Sequence, residues 1–378
     1  METHSGYVRF GLLASALLAL LVAMWAGLLR LGWELPWWQP ALALSHGPLI
    51  VCGFLGTLIS LERSVALNRW WAYAAPLSTA LGTLHLIVGL PGPYGPLLIL
   101  LGSLALVGNF AVFFRRHPTL FMGTMGLGAV AWLIGNWLWL SGVPIPSMVH
   151  WWSGFLLLTI AGERLELSRF VPTARRSKEL FVISLTIYWV GLLFASLDWA
   201  RGTAVAGVGM LFLALWLARF DVGRYTVHQP GLPRFIAVSF FSGYLWLAVG
   251  GLLWIQAGRL LANPDLLPLR YDAMLHTIFL GFVFPMIFAH APIIFPAITR
   301  HPLPFHRSFY SHLVLLHLSL FLRVGSALAG LFTPYRWGVL LSVLAVVLFL
   351  ANNAYSAWHG LREAKGAAKT TVAITGAG

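Results

Sequence analysis

Long apolar runs alternate with short polar connections along the chain, and read in order they predict twelve membrane-spanning helices. These lie near residues 8–31, 40–61, 71–90, 94–114, 119–141, 146–163, 180–199, 203–219, 235–257, 272–298, 308–331 and 336–358. Each is close to the roughly 20 apolar residues that cross a bilayer as a helix. Pro and Gly punctuate the connections, as at Pro91-Gly92-Pro93, Gly142-Val143-Pro144 and Gly231-Leu232-Pro233. The expected fold class is therefore an all-α integral membrane protein, one polytopic domain over residues 1–378.

Charge gives this layout an orientation. Connections after even-numbered spans carry Arg63, Arg69, Arg115, Arg116, Arg164, Arg169, Arg175, Arg176, Lys178, Arg219, Arg224, Arg234, Arg300 and Arg307. Arg9, Arg362, Lys365 and Lys369 lie at the termini, and the opposite side has Arg30, Arg201, Arg259, Arg270 and Arg336. The positive-inside rule then places both termini in the cytoplasm, in a bacterial-type inner membrane.

Composition agrees. With 59% hydrophobic and 9% charged residues and a mean hydropathy of +0.82, an ordinary soluble domain is excluded. The net charge of +13 sits in the connections, so it reports topology and contact with anionic lipid heads rather than nucleic acid. The first apolar run, Tyr7 to Gly32, lacks an A-x-A-like cleavage site and reads as a retained span. Cys52 is the single cysteine, which excludes disulfides, iron–sulfur clusters and covalently attached haem within this chain.

The chemistry concentrates in histidines at two depths. Tyr271 to Ile298 carries His276 and His290, fourteen residues apart. On a regular helix that is about 21 Å along the axis and nearly one face. Spans 2, 6 and 10 run inward, so His46, His150 and His276 fall near their outer ends, and His85 of span 3 joins them. His290, His312 and His317 form the inner layer. His117, His228, His301, His306 and His359 belong to connections or the tail and read as solvated. An internal repeat supports the layers: Gly53-Phe54, Gly154-Phe155 and Gly281-Phe282 each precede Glu62, Glu163 or His290 by nine residues. A histidine stands four to seven residues before each pair. The implied unit is four helices, giving three arcs (8–114, 119–219, 235–358) about a pseudo-threefold axis.

Neutral imidazole ligates haem iron and copper well, and helix bundles build such sites from facing helices. His46 with His276 is the expected bis-imidazole pair, with His85 and His150 serving a second centre or its hydrogen bonds. The competing reading makes all four interfacial. His290 and His317 would meet across spans 10 and 11 and, with His312, offer a second haem or metal, against a polar cluster that anchors helices. Glu62 and Glu163 are each followed by Arg, which points to salt-bridged helix ends. Arg323 lies inside span 11 and is costly unless paired. No acidic residue lies deep in any span as drawn, so a haem propionate would supply the anion; a carbonyl-bonded structural Arg is the alternative.

The plan of three four-helix arcs with histidines on spans 2, 6 and 10 resembles the haem–copper oxidase superfamily. Ser45-His46 through Gly53-Phe54, the run from Leu275-His276 to Met286, and Arg323-Val324 look more closely like the histidine motifs of the NnrS family, whose members are described as binding haem and copper in connection with nitric oxide. The resemblance implies haem b held without covalent attachment, with copper or a second haem beside it, and a small gas as ligand. No histidine lies in span 7, where the oxidases place copper ligands. The function so expected is binding or conversion of a diatomic of the nitric oxide class, as an oxidoreductase if it turns over. A b-type cytochrome passing electrons from quinol or another cytochrome is the second reading, and a transporter the third. The transporter is disfavoured by the lack of mid-membrane carboxylates and of paired broken helices.

Overall fold

The computed structural model describes residues 2–39, 41–168, 175–299 and 302–375 of the 378-residue chain. Pro40, Arg169, Arg300 and His301, which the sequence reading used, lie outside the described residues. The long helical elements are α1 (Glu2–Arg30), α2 (Leu42–Leu67), α3 (Ala74–Val88), α4 (Tyr94–Arg116), α5 (Leu120–Leu140), α6 (Ile145–Ser168), α7 (Arg175–Ala195), α8 (Trp199–Phe220), α9 (Leu232–Ile255), α10 (Leu267–Ala297), α11 (Phe309–Ala329) and α12 (Phe332–Thr375). The described residues contain no strand.

Ten of these helices are long and apolar enough to cross a membrane, and the chain is an integral membrane protein on that ground. The two expected spans outside the ten fall short for different reasons. α3 has only 15 residues, closed by Gly89 at φ +78°. α6 is long enough but falls just short in apolar character, and it is buried without a break from Met148 to Gly162. A helix covered by protein on every side needs no lipid-facing stripe, so it tolerates His150, Ser153 and Thr159.

Hairpins of neighbouring helices make the walls: α3 with α4, α5 with α6, α7 with α8, α11 with α12. In α7 and α8, Gly191 faces the backbone of Ala206 and Gly202 that of Ala195, so closely that a Cβ on either glycine would collide. Without water to drive apolar surfaces together, this close backbone approach is what joins helices in lipid. α2 and α10 are different. Both are broken by π-helical turns, Leu49–Gly56 in α2 and Phe279–Val283 in α10. In α10, Pro285 contributes to the break: it lacks the N–H that would bond the carbonyl of Gly281.

Candidate functional site

The two π-helical segments contain Gly53-Phe54 and Gly281-Phe282, two of the three repeated pairs; the third, Gly154-Phe155, sits in the regular helix α6. π-turns inside helices mark functional sites often enough to direct attention to what stands beside them. Upstream of the segments stand His46 on α2 and His276 on α10. Their rings lie 6.2 Å apart, centre to centre, with planes inclined by 27°.

Each ring is held by its Nδ1. His46 Nδ1 donates to the carbonyl of Ala23 on α1 at 2.7 Å, and Gly27 one turn on lies flat against the ring, where a Cβ would stand 2.9 Å from Nδ1. His276 Nδ1 donates to the carbonyl of Asp272 at 2.9 Å and lies 3.1 Å from that residue's carboxylate. With both Nδ1 protons committed, the tautomer leaves Nε2 of each ring with a free lone pair. Arg323 of α11 completes the unit, its Nε and Nη2 each donating to one Asp272 oxygen at 2.8 Å. A carboxylate held by a bidentate guanidinium is a firm support for an imidazole.

Both rings face a cavity of about 1340 Å³, which is also lined by Met24, Val51, Trp139, Trp152, Phe284 and Val346. This exceeds the roughly 300–1,000 Å³ of most small-molecule sites. Its lining is largely apolar, with Arg30, Asp272 and Arg323 as charged members.

The partner of Arg323 corrects the sequence reading, in which no acidic residue reached it. α10 begins at Leu267, five residues before the expected span, so Asp272 lies inside the helix. α10 and α11 are consecutive and antiparallel, which brings the start of one against the end of the other. No propionate is needed to neutralise Arg323. The expectation that His276 and His290 share a face also falls, because the π segment between them breaks the 3.6-residue count.

The other predicted residues are not gathered at the cavity. His150 is buried against Trp151, with neither ring nitrogen bonded. His85 lies beside Tyr94. His290 and His317, expected to meet, have separate partners: His290 packs on Phe240 at 5.3 Å, and His317 Nδ1 accepts from Trp246 Nε1 at 3.0 Å. His312 accepts from Asn352 at 3.1 Å and stands 4.6 Å edge-on to Phe288. Among the described residues, no group of three or more His, Cys, Asp or Glu is arranged to hold a metal ion.

At the other end of α2 and α6 is an ion-pair layer that the sequence discloses only in part. Arg63 bridges Glu62 and Glu163, the salt-bridged helix ends expected from their order in the chain. Arg164 instead turns into the protein. Its Nε and Nη2 donate to the two oxygens of Asp221 at 2.7 and 2.8 Å, and both side chains are almost wholly buried. Asp221 also accepts from Tyr244 Oη at 3.0 Å and from the Gly223 backbone N–H at 2.6 Å. Arg164 covers the Phe240 ring at 3.8 Å, and His290 lies on that same ring. The positions equivalent in the repeat, Glu62, Glu163 and His290, thus belong to one layer.

Residues 9–358 match the model of a family described as Domain of unknown function (DUF8744). No match was found among curated proteins or solved structures.

Proposed function

The chain belongs to the DUF8744 family, and we propose that it is a membrane b-type haem protein in which His46 and His276 would hold the haem through their Nε2 atoms. The observation that carries this reading is the spacing of the two rings. Metal–imidazole nitrogen bonds run about 2 Å and a ring centre lies ~1 Å behind its nitrogen, so two imidazoles on one metal stand ~6 Å apart. The pair here stands at 6.2 Å, with each Nδ1 occupied in the way metal-bound histidines are held.

A bare ion would need a tight pocket of several donors. The wide apolar cavity about the two rings suits a flat macrocycle instead, and the single cysteine, Cys52, is buried and belongs to no C-x-x-C-H attachment motif. When bound, haem supplies one-electron chemistry. The protein's part is to orient the rings: Ala23 fixes His46, and Asp272, locked by Arg323, fixes His276. Apolar walls keep ions out.

Two imidazoles closing both faces support electron exchange, with a quinol or a cytochrome as donor. Binding of nitric oxide or carbon monoxide is a second reading, favoured by a cavity larger than the pair alone requires and by the likeness to the NnrS family. In that case His46 or His276 alone would hold the haem and the other ring would give way to the gas. We keep the twelve-span, three-arc arrangement with both termini cytoplasmic as part of the proposal: α3 and α6 complete the count, and the matching π segments in α2 and α10 support the repeat. Among the described residues, copper, a second haem, and metal roles for His85, His150 and His312 have no gathered ligand set behind them.

Purified protein should give a reduced-minus-oxidised spectrum of low-spin b-type haem. An iron-free, colourless preparation from haem-replete cells overturns the proposal. A spectrum that shifts with nitric oxide selects the second reading; one indifferent to both gases selects electron exchange. Gly27→Leu should lose the low-spin signal while the fold persists, because its side chain takes the space of the His46 ring. Retention of an unaltered spectrum by a folded Gly27→Leu variant would show that this contact does not position His46.

A further inference from the structure

We infer that Arg30 is the anchor for carboxylate groups of the ligand in this cavity, the propionates of haem on the reading above. Two cations line the cavity, and they differ. Arg323 has the Nε–Nη2 edge of its guanidinium taken by Asp272. Arg30 ends α1 and has no ion pair or side-chain hydrogen bond among the described residues.

Position supports the assignment. α1 passes His46 at Ala23 and Gly27, so Arg30, one turn further, stands on the same helix at the end of the cavity towards the connection to α2. The neighbouring lining residues Leu31, Ala41, Leu44 and Ser45 belong to that end. A ligand gripped between His46 and His276 with an acidic edge gains a charge-assisted, bidentate partner at Arg30, which among the described residues carries no carboxylate of its own, and its apolar edges fit the remaining wall. Asp272 would repel a carboxylate at the other cation, so the acidic edge has one favourable direction. A cation at a helix C-terminus also suits the dipole, but the dipole does not require that it line a cavity.

The test uses apoprotein from haem-deficient cells, titrated with haem and with its dimethyl ester, in which both carboxylates are blocked. Wild type should bind the free acid roughly ten- to hundredfold more tightly, the worth of a hydrogen bond to a charged group. Arg30→Leu should bring that ratio near one while leaving the low-spin spectrum in place, and Arg30→Lys should restore part of the preference. An Arg30→Leu ratio equal to wild type overturns the assignment but leaves the haem reading standing. Failure of wild type to bind either compound overturns both.

Discussion

Replacing His276 by alanine should abolish the low-spin haem spectrum, and His46→Ala should do the same. His150→Ala should leave it unchanged. The first two residues face each other at 6.2 Å across the cavity, whereas His150 does not line it and rests against Trp151. The loss should be complete in the low-spin fraction, since a low-spin signal would need both imidazoles to hold the haem. Free imidazole added to either variant should restore much of the signal by filling the space vacated by the ring, which separates a lost ligand from a lost fold. Asp272→Asn should keep the spectrum and raise the midpoint potential. The substitution removes the anion behind His276 and leaves the Arg323 charge uncompensated beside it, and both changes disfavour the oxidised, more positive state. Equal spectra for His276→Ala and His150→Ala would exclude the pair as ligands.

The sequence is informative where local pattern and topology agree. Runs of apolar residues fall on each of the twelve long helices, with ends up to six residues off and α12 continuing seventeen residues past the expected span, because hydropathy marks the apolar stretch and not the helix ends. The approach of His46 and His276 is legible too, from a histidine placed before Gly-Phe on two spans that run the same way. His150 shows the limit of that reasoning. It stands four residues before its Gly-Phe, not seven or five, on a helix without a π segment, and a regular helix rotates its side chain to a different neighbour. Asp272 escaped because it stood at the first position of the expected span, whereas the helix begins five residues earlier. The available signal was Pro268 in the first turn, which marks a helix starting earlier than the hydropathy does. Asp221 escaped for a deeper reason. It sits in the connection between α8 and α9, and nothing local says that the connection folds inward to meet Arg164 fifty-seven residues away.

That same pair carries the largest expected effect on stability. Asp221→Ala should cost about 3–5 kcal/mol, because it leaves the Arg164 guanidinium buried without a counter-charge. Arg164 is 1% exposed and Asp221 fully buried, so neither water nor lipid headgroups can take over the lost contacts. Tyr244 and the Gly223 N–H lose their acceptor as well, adding two unsatisfied donors in the same place. The double variant Arg164→Met/Asp221→Leu should recover most of the loss, since a matched apolar pair owes no desolvation. Arg63→Met is the contrasting case. Its partners Glu62 and Glu163 remain partly exposed, so solvent can replace the guanidinium and the cost should be well below that of Asp221→Ala. Unfolding of the purified variants in detergent with added denaturant would rank them. A double variant as unstable as Asp221→Ala would mean that the charge pair itself, and not the avoidance of a lone buried charge, holds α6 to the end of α8. Arg164 would then be a specific latch between these helices, and its loss should also disturb His290, which shares the Phe240 ring with it.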